Sequence, residues 1–224
     1  MSLTSTRRTG LVDQVIDQLR EAIANGEWPV GERIPPEPEL VAALGVGRNT
    51  VREAVRALSH AGLLEVRQGD GTFVRATSEI SGAVRRLCGS ELREVLQVRR
   101  ALEVEGARLA ALHRTEDELA ELTETLSHRD HAWGERTWDA VVDTDTRFHQ
   151  LVVRCSHNNL LIALHEGVTE AVRASVLATV DNPAVPSFID HGPMLAAIRA
   201  GDGDRAARET AQFLDILITG TSRT

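Results

Sequence analysis

The 224-residue chain has no tyrosine, no lysine, only two cysteines, and an aromatic content of 3%. The cysteines, Cys88 and Cys155, lie far apart and form no CxxC pair, which excludes a disulfide framework and a thiolate zinc cluster. Buried inert thiols are expected instead. No run of about 18 apolar residues occurs, and the opening MSLTSTRRTG lacks the apolar stretch of a secretory signal, so neither a membrane span nor export is indicated. A cytoplasmic protein with no membrane partner is the expectation. Because lysine is missing, all 25 basic residues are arginines, the side chain suited to planar, bidentate contacts.

What is present divides in two. An apolar content of 42% over this length fits one large domain or two modest ones, and two is the working expectation. The net charge of −8 argues weakly against nucleic acid until its distribution is examined. Through Ala76 there are nine arginines against ten acids, while the remainder holds 16 against 23. Arg48 to Arg75 is locally positive, with five arginines against Glu53, Glu65 and Asp70.

In that first part, Leu11, Val15, Ile16, Leu19, Ala22 and Ile23 recur with helical period and stop at Asn25-Gly26. The stretch GEWPVGERIPPEP reads as a connection, and Pro36-Glu37-Pro38 suits the first turn of a short helix to Leu44. Gly45-Val46-Gly47 makes a turn. A third helix follows from Arg48 to about His60, with Val51, Val55 and Leu58 facing inward. LLEV, RQGDG and TFVR then read as two short strands joined by a glycine-containing loop. Helix, turn, helix and hairpin in this order make a winged helix-turn-helix. With the apolar residues of the third helix committed to a core, Arg48, Asn49, Arg52 and Arg56 are left on or near its outward side, where the helix N-terminus can enter a major groove. Arginine paired to guanine is the commonest specific base contact. A solvated arginine face on a small helical domain is the alternative.

The stretch VGERIPPEPELVAALGVGRNTVREAVRALSHAGLLEVRQGDGTFV resembles the DNA-binding domain of the GntR family of bacterial transcription regulators, and the likeness covers residues 10–75. It implies DNA contacts from Arg48, Asn49, Thr50 and Arg52 on the recognition helix, and from Gln68 and Gly69 in the wing. Pro38 departs from the resemblance, standing where the family usually has a DNA-contacting arginine. Gly47 replaces the usual Ser or Thr at the helix N-cap, a change of small cost.

The domain layout expected is a winged head over 1–76, a linker over 77–79 and an all-helical domain over 80–224. Glu91 to Leu112 carries Leu92, Val95, Leu96, Leu102, Gly106 and Leu109 on one face. Thr115 to Glu118 forms a capping box that opens a helix to about His128. Further helices are expected from about Thr137 to His157, Leu160 to Val180, Ser187 to Gly201 and Asp204 to Ile218. The fold class is therefore mainly α: a winged helix-turn-helix head followed by an antiparallel bundle of six or seven helices.

Polar residues on apolar stripes are the informative ones. Asp145 and His149 fall among Trp138, Val141, Val142, Phe148, Val152 and Cys155, one turn apart. His191 lies with Met194, Leu195 and Ile198, and Arg99 interrupts the stripe of its own helix. Buried charge is costly unless it is paired or binds a metal, so these intrusions point to a shared polar cavity. Asp145 and His149 can bind one ion from one helix surface, and His191 would complete a facial triad. Core imidazoles satisfied by their neighbours are the alternative.

Residues 80–218 resemble the FCD domain, the FadR C-terminal type, through LQVRRALEVEGARLAAL, DTDTRFHQLVV followed by SHN, and DHGPMLAAIRAGD. The resemblance implies a divalent ion, zinc or nickel-like, held by Asp145, His149 and His191, and an effector-binding role for Arg99. A further histidine is expected 22 residues after His191, where this chain has Phe213. Either water and effector oxygens complete a three-ligand site, or the cavity works without metal. His165 lies near the inner face of its helix; a solvated or core histidine is the expectation there. Arg99 would hold a small organic acid, unless it pairs internally with Glu103.

The function expected is transcription regulation, most simply repression, by a homodimer on palindromic double-stranded operator DNA, under control of a small carboxylate effector. The chain is not expected to be an enzyme. A metal-dependent hydrolase or lyase with an accessory DNA-binding head is the alternative from another class, since an Asp-His-His site with an open position can activate water. A module whose cavity binds nothing is the third reading.

Overall fold

The computed structural model describes residues 10–87, 92–176 and 189–220. The chain divides into two compact units, Met1–Leu87 and Cys88–Thr224. In the first, helices α1 (Leu11–Ala24), α2 (Glu37–Leu44) and α3 (Arg48–Ala61) precede a hairpin of β1 (Leu64–Arg67) and β2 (Gly71–Val74), and α4 (Glu79–Leu87) follows. Val15, Leu19 and Ile23 from α1 meet Leu40 from α2 and Val51, Val55 and Leu58 from α3 in one core, closed by Leu64 and Val74 of the hairpin. Pro36 caps α2, and Gly45 ends it in the left-handed region at φ 65°, a conformation glycine adopts without a Cβ penalty. The strands pair antiparallel from Leu64 opposite Val74 to Arg67 opposite Gly71.

Two features of this head go beyond the expected layout. The connection before α2 adds a third edge to the wing: the Ile34 N–H donates to the Thr72 carbonyl at 2.9 Å, and the Val74 N–H to the Glu32 carbonyl at 2.9 Å. Expecting only a loop there missed this, because prolines and glycines mask a single bridge. Helix α4 also belongs to this unit, so the compact division falls after Leu87 and not in the expected linker at 77–79. The reason is a close approach: a Cβ added at Gly82 would lie 2.9 Å from the Gly62 carbonyl.

The second unit consists, among the described residues, of α5 (Leu92–His113), α6 (Glu116–Gly134), α7 (Trp138–Arg154), α8 (Asn159–Val176), α9 (Gly192–Ala200) and α10 (Gly203–Gly220). Helix α5 is central and packs on α7, α8, α9 and α10. Gly106 lets α5 and α7 meet, since a Cβ there would lie 2.8 Å from Val153 Cγ2. The capping box of α6 forms in both directions, with the Glu118 N–H donating to Thr115 Oγ1 at 3.2 Å and the Thr115 N–H to Glu118 Oε2 at 2.7 Å. Phe148, Leu122, Met194 and Ile198 lie at the heart of this core.

Two details of the expected bundle differ. Trp138, placed on the inner face of α7, is 52% exposed and packs edge-on to Trp133. Helix α9 starts at Gly192, with Asp190 Oδ1 accepting the Gly192 N–H at 2.8 Å, so His191 is its N-cap and not a residue of its stripe. The expected start at Ser187, the end of α8 after Val176, and Cys88 lie outside the described residues. Cys155 is buried, and burial, followed by the negative charges of Glu118 and Glu121, pushes its thiol up to about 12, an inert value.

Candidate functional site

Helix α3 presents the residues expected to meet DNA. Val51, Ala54, Val55 and Leu58 are buried, so period 3.6 turns Arg48, Asn49, Arg52 and Arg56 to the exposed side, with Thr50 half-buried. Gly47 is the N-cap and supplies no side-chain bond, which leaves first-turn N–H groups of α3 open to an anion. Gln68 and Gly69 are exposed at the wing tip, where Gly69 takes φ 81°.

The arginines of this surface differ in their partners. Arg67 donates to Glu65 at 2.9 Å and stacks over the Phe73 ring at 4.2 Å, and Arg75 reaches the same carboxylate at 3.4 Å. Arg52 bonds to Glu37 of α2. Among the described residues, Arg48 and Arg56 have no carboxylate partner.

In the second unit the polar residues from separate stripes converge. His149 and His191 face each other through their Nε2 atoms at 3.2 Å, and His191 Nε2 lies 3.2 Å from Asp145 Oδ1. One ligand atom from each of the three residues falls within 4.8 Å of the others. Bonds of about 2.0–2.2 Å to a shared ion put neighbouring donor atoms roughly 3 to 3.4 Å apart, so the donor spacing at His191 suits a common ion. Two imidazoles and one carboxylate are a donor set for zinc, nickel or iron.

The surroundings set the chemical state of this trio. His149 Nδ1 lies 3.1 Å from Glu103 Oε2, so this carboxylate faces the ring nitrogen turned away from His191. Burial first, then neighbouring positive charge from His149 and Arg129, lowers the His191 pKa against the opposing bond and charge of Asp145, a direction that favours releasing a proton to make room for a metal. Burial pushes the Asp145 carboxyl up, but the His191 hydrogen bond and the charges of His149, His191 and Arg99 override it and hold it below the usual aspartate range. His191 Nδ1 is buried without a hydrogen-bond partner.

Phe213 stands where a fourth nitrogen was expected. Its ring is 4.9 Å from both His149 and His191, stacked on the former at 29°. An aromatic face therefore closes that side of the trio and contributes no donor.

Two residues of this cluster, Glu103 and Arg129, were underrated or missed by sequence reasoning, while His165 is the core histidine expected. Glu103 is its hub: 1% exposed, it takes the guanidinium of Arg99, the His165 Nε2 bond at 3.0 Å and the His149 contact. Burial pushes its carboxyl up, and Arg99 and then His149 and His165 outweigh that, leaving it ionised well below the usual range. The internal pairing weighed for Arg99 is thus present. His165 is a core histidine bonded to Glu103, not a member of the trio. Arg129 was missed altogether. It is 4% exposed, and its Nε donates to Asp145 Oδ1 at 3.1 Å. Its signal was available, because Arg129 interrupts the stripe of Leu119, Leu122 and Leu126 just as Arg99 interrupts its own.

Comparison with known proteins agrees with this architecture. Residues 11–74 match the family described as bacterial regulatory proteins, gntR family, and residues 94–215 match the FCD domain. The HTH-type transcriptional regulator Mce2R of Mycobacterium tuberculosis is 33% identical over 98% of this chain and 95% of its own length. A probable D-xylose utilization operon transcriptional repressor of Paenarthrobacter nicotinovorans is 32% identical over 99% and 94%. Among solved structures, Streptococcus agalactiae GntR superposes with a TM-score of 0.56 at 26% identity, covering 93% of this chain and 99% of its own.

Proposed function

As a member of the gntR family of bacterial regulatory proteins, with an FCD domain behind its winged head, the chain is a DNA-binding transcription regulator, and we propose that it is a cytoplasmic, homodimeric repressor released from a palindromic operator by a small carboxylate. The repressor name carried by the Paenarthrobacter relative supports the sign of regulation. Paired heads require an operator with two-fold symmetry. In this reading Arg48, Asn49, Thr50 and Arg52 enter the major groove, while Gln68 and Gly69 approach the neighbouring backbone.

The observation that carries the sensing half is the 3.2 Å meeting of two imidazole Nε2 atoms beside Asp145 Oδ1. Asp145, His149 and His191 would hold a divalent ion, which when bound supplies a Lewis-acidic centre for a carboxylate oxygen. Glu103 faces the other ring nitrogen of His149. Arg99, 13% exposed at its side chain, offers the effector those N–H groups that Glu103 does not use. Phe213 restricts the trio to three protein ligands. A coupling of about 1–3 kcal/mol between effector and operator suffices to change occupancy appreciably.

Elemental analysis of the purified protein, followed by operator titration with a panel of organic acids before and after chelation, tests this reading. About one zinc or nickel per protomer, and an acid that weakens operator binding only in the metal-loaded protein, are expected. Loss of effect on chelation identifies the ion as part of the sensor. An acid response that survives complete metal removal overturns the metal-dependent form, and no response to any acid overturns the carboxylate reading.

A further inference from the structure

Arg52 is held from one side. Its Nε donates to Glu37 Oε1 at 3.4 Å and its Nη2 to Glu37 Oε2 at 3.1 Å. Glu37 stands in the first turn of α2, where the helix dipole favours a carboxylate, so the contact ties the second helix to the exposed side of the third. A guanidinium carries five N–H groups, and a carboxylate along the Nε–Nη2 edge uses two of them. The other edge, with one N–H from Nη1 and one from Nη2 pointing forward in parallel, stays open. That fork matches the N7 and O6 acceptors of guanine in the major groove.

Phosphate accepts from either edge of an arginine, and here one edge is already taken by a group of phosphate's own sign. Arg48 and Arg56 on the same helix have no such partner among the described residues and remain available to the DNA backbone. Exposed ion pairs add little to folding stability, and this one joins two partly exposed side chains. Its consequence therefore lies in orientation.

We propose that Glu37 is a specificity-determining positioning residue, which aims the forward edge of Arg52 at a guanine in each operator half-site and keeps that arginine from the phosphates. The inference rests on the reading that α3 enters the major groove. Removing Glu37 frees both edges and one positive charge, so Arg52 trades base for backbone: discrimination falls while affinity for arbitrary duplex rises.

The test uses the full chain with Glu37→Ala, Glu37→Gln and Arg52→Ala variants. Wild type first selects its site from a random duplex pool, and each guanine of that site is then replaced singly by 7-deazaguanine, which removes the N7 acceptor. One guanine per half-site should show a loss of roughly 5- to 100-fold in wild type and none in Arg52→Ala. In both Glu37 variants, with unchanged melting curves, that penalty should shrink below about 3-fold, and the log–log salt slope of the dimer should steepen by about two phosphate contacts, one per half-site, roughly 1.8. Glu37 variants that keep the wild-type penalty at the guanine read by Arg52 overturn the proposal while leaving the regulator reading intact. Absence of any guanine whose penalty depends on Arg52 overturns it as well. Failure of wild type to select any sequence overturns the regulator reading itself, and this proposal with it.

Discussion

Replacing Glu103 by leucine is the sharpest perturbation of the buried cluster. The side chain is 1% exposed and answers three cationic or donor groups, Arg99, His149 and His165. Leucine fills a similar volume, so the change removes the charge with little cavity. What remains is a guanidinium 13% exposed without its carboxylate, and His165 Nε2 with Thr169 Oγ1 at 3.4 Å in place of the carboxylate. Breaking a buried pair from one side costs about 3–5 kcal/mol, because the surviving charge stays desolvated. At about 2–4 °C per kcal/mol for chains of 150–250 residues, the melting temperature should fall by roughly 6–20 °C. Replacing Arg99 by methionine in the same background removes the stranded charge and should recover most of the loss, since a buried pair exchanged for apolar residues is often neutral. Calorimetry of the wild type, the single variant and the double variant measures this, following the transition of the helical unit separately from that of the head. A single variant that melts within about 3 °C of wild type, or a double variant no better than the single, would refute the assignment of Glu103 as the compensating charge.

Other outcomes follow from the same geometry. His149→Ala should abolish retention of metal through size-exclusion chromatography, and Phe213→His, placing a nitrogen beside both imidazoles, should make zinc harder to strip in a chelator titration. Gly106→Val forces branched carbon into the 2.8 Å approach to Val153 Cγ2 and should destabilise the helical unit by about 1–3 kcal/mol in urea denaturation. Partial burial raises the Glu118 carboxyl, but its bonds with the Thr115 N–H and His157 outweigh that and lower it. A lowered folded pKa gives stability that is present above the unfolded value, near pH 4.3, and lost as pH falls through the folded one. Glu118→Gln should therefore lower stability at pH 7, and its cost should shrink progressively as pH falls below about 4, as read from paired denaturation curves.

Local rules made the head legible. Val51, Val55 and Leu58 repeat with helical period, Gly45 and Gly62 close helices in the left-handed region, and the glycines around Asp70 turn the hairpin, each a property of a few adjacent residues. The third edge at Ile34 escaped, because a bridge between segments nearly 40 residues apart leaves no periodic trace, and so did the packing of α4 on this unit. The capping box of α6 was equally visible, being written in four consecutive residues.

For the buried cluster, the chain's pattern marked Asp145, His149, His191 and Arg99 as polar groups on apolar faces and left their partners open. Periodicity states that a residue turns inward but not which inward residues meet. Helix packing decided that: α5 brings Glu103 between Arg99, His149 and His165, α6 brings Arg129 to Asp145, and α10 lays Phe213 across both imidazoles. Hydrophobic burial selects the faces and is indifferent to direction along them, whereas hydrogen bonds and ion pairs need partners within about 3 Å, a distance that exists only once the helices are docked.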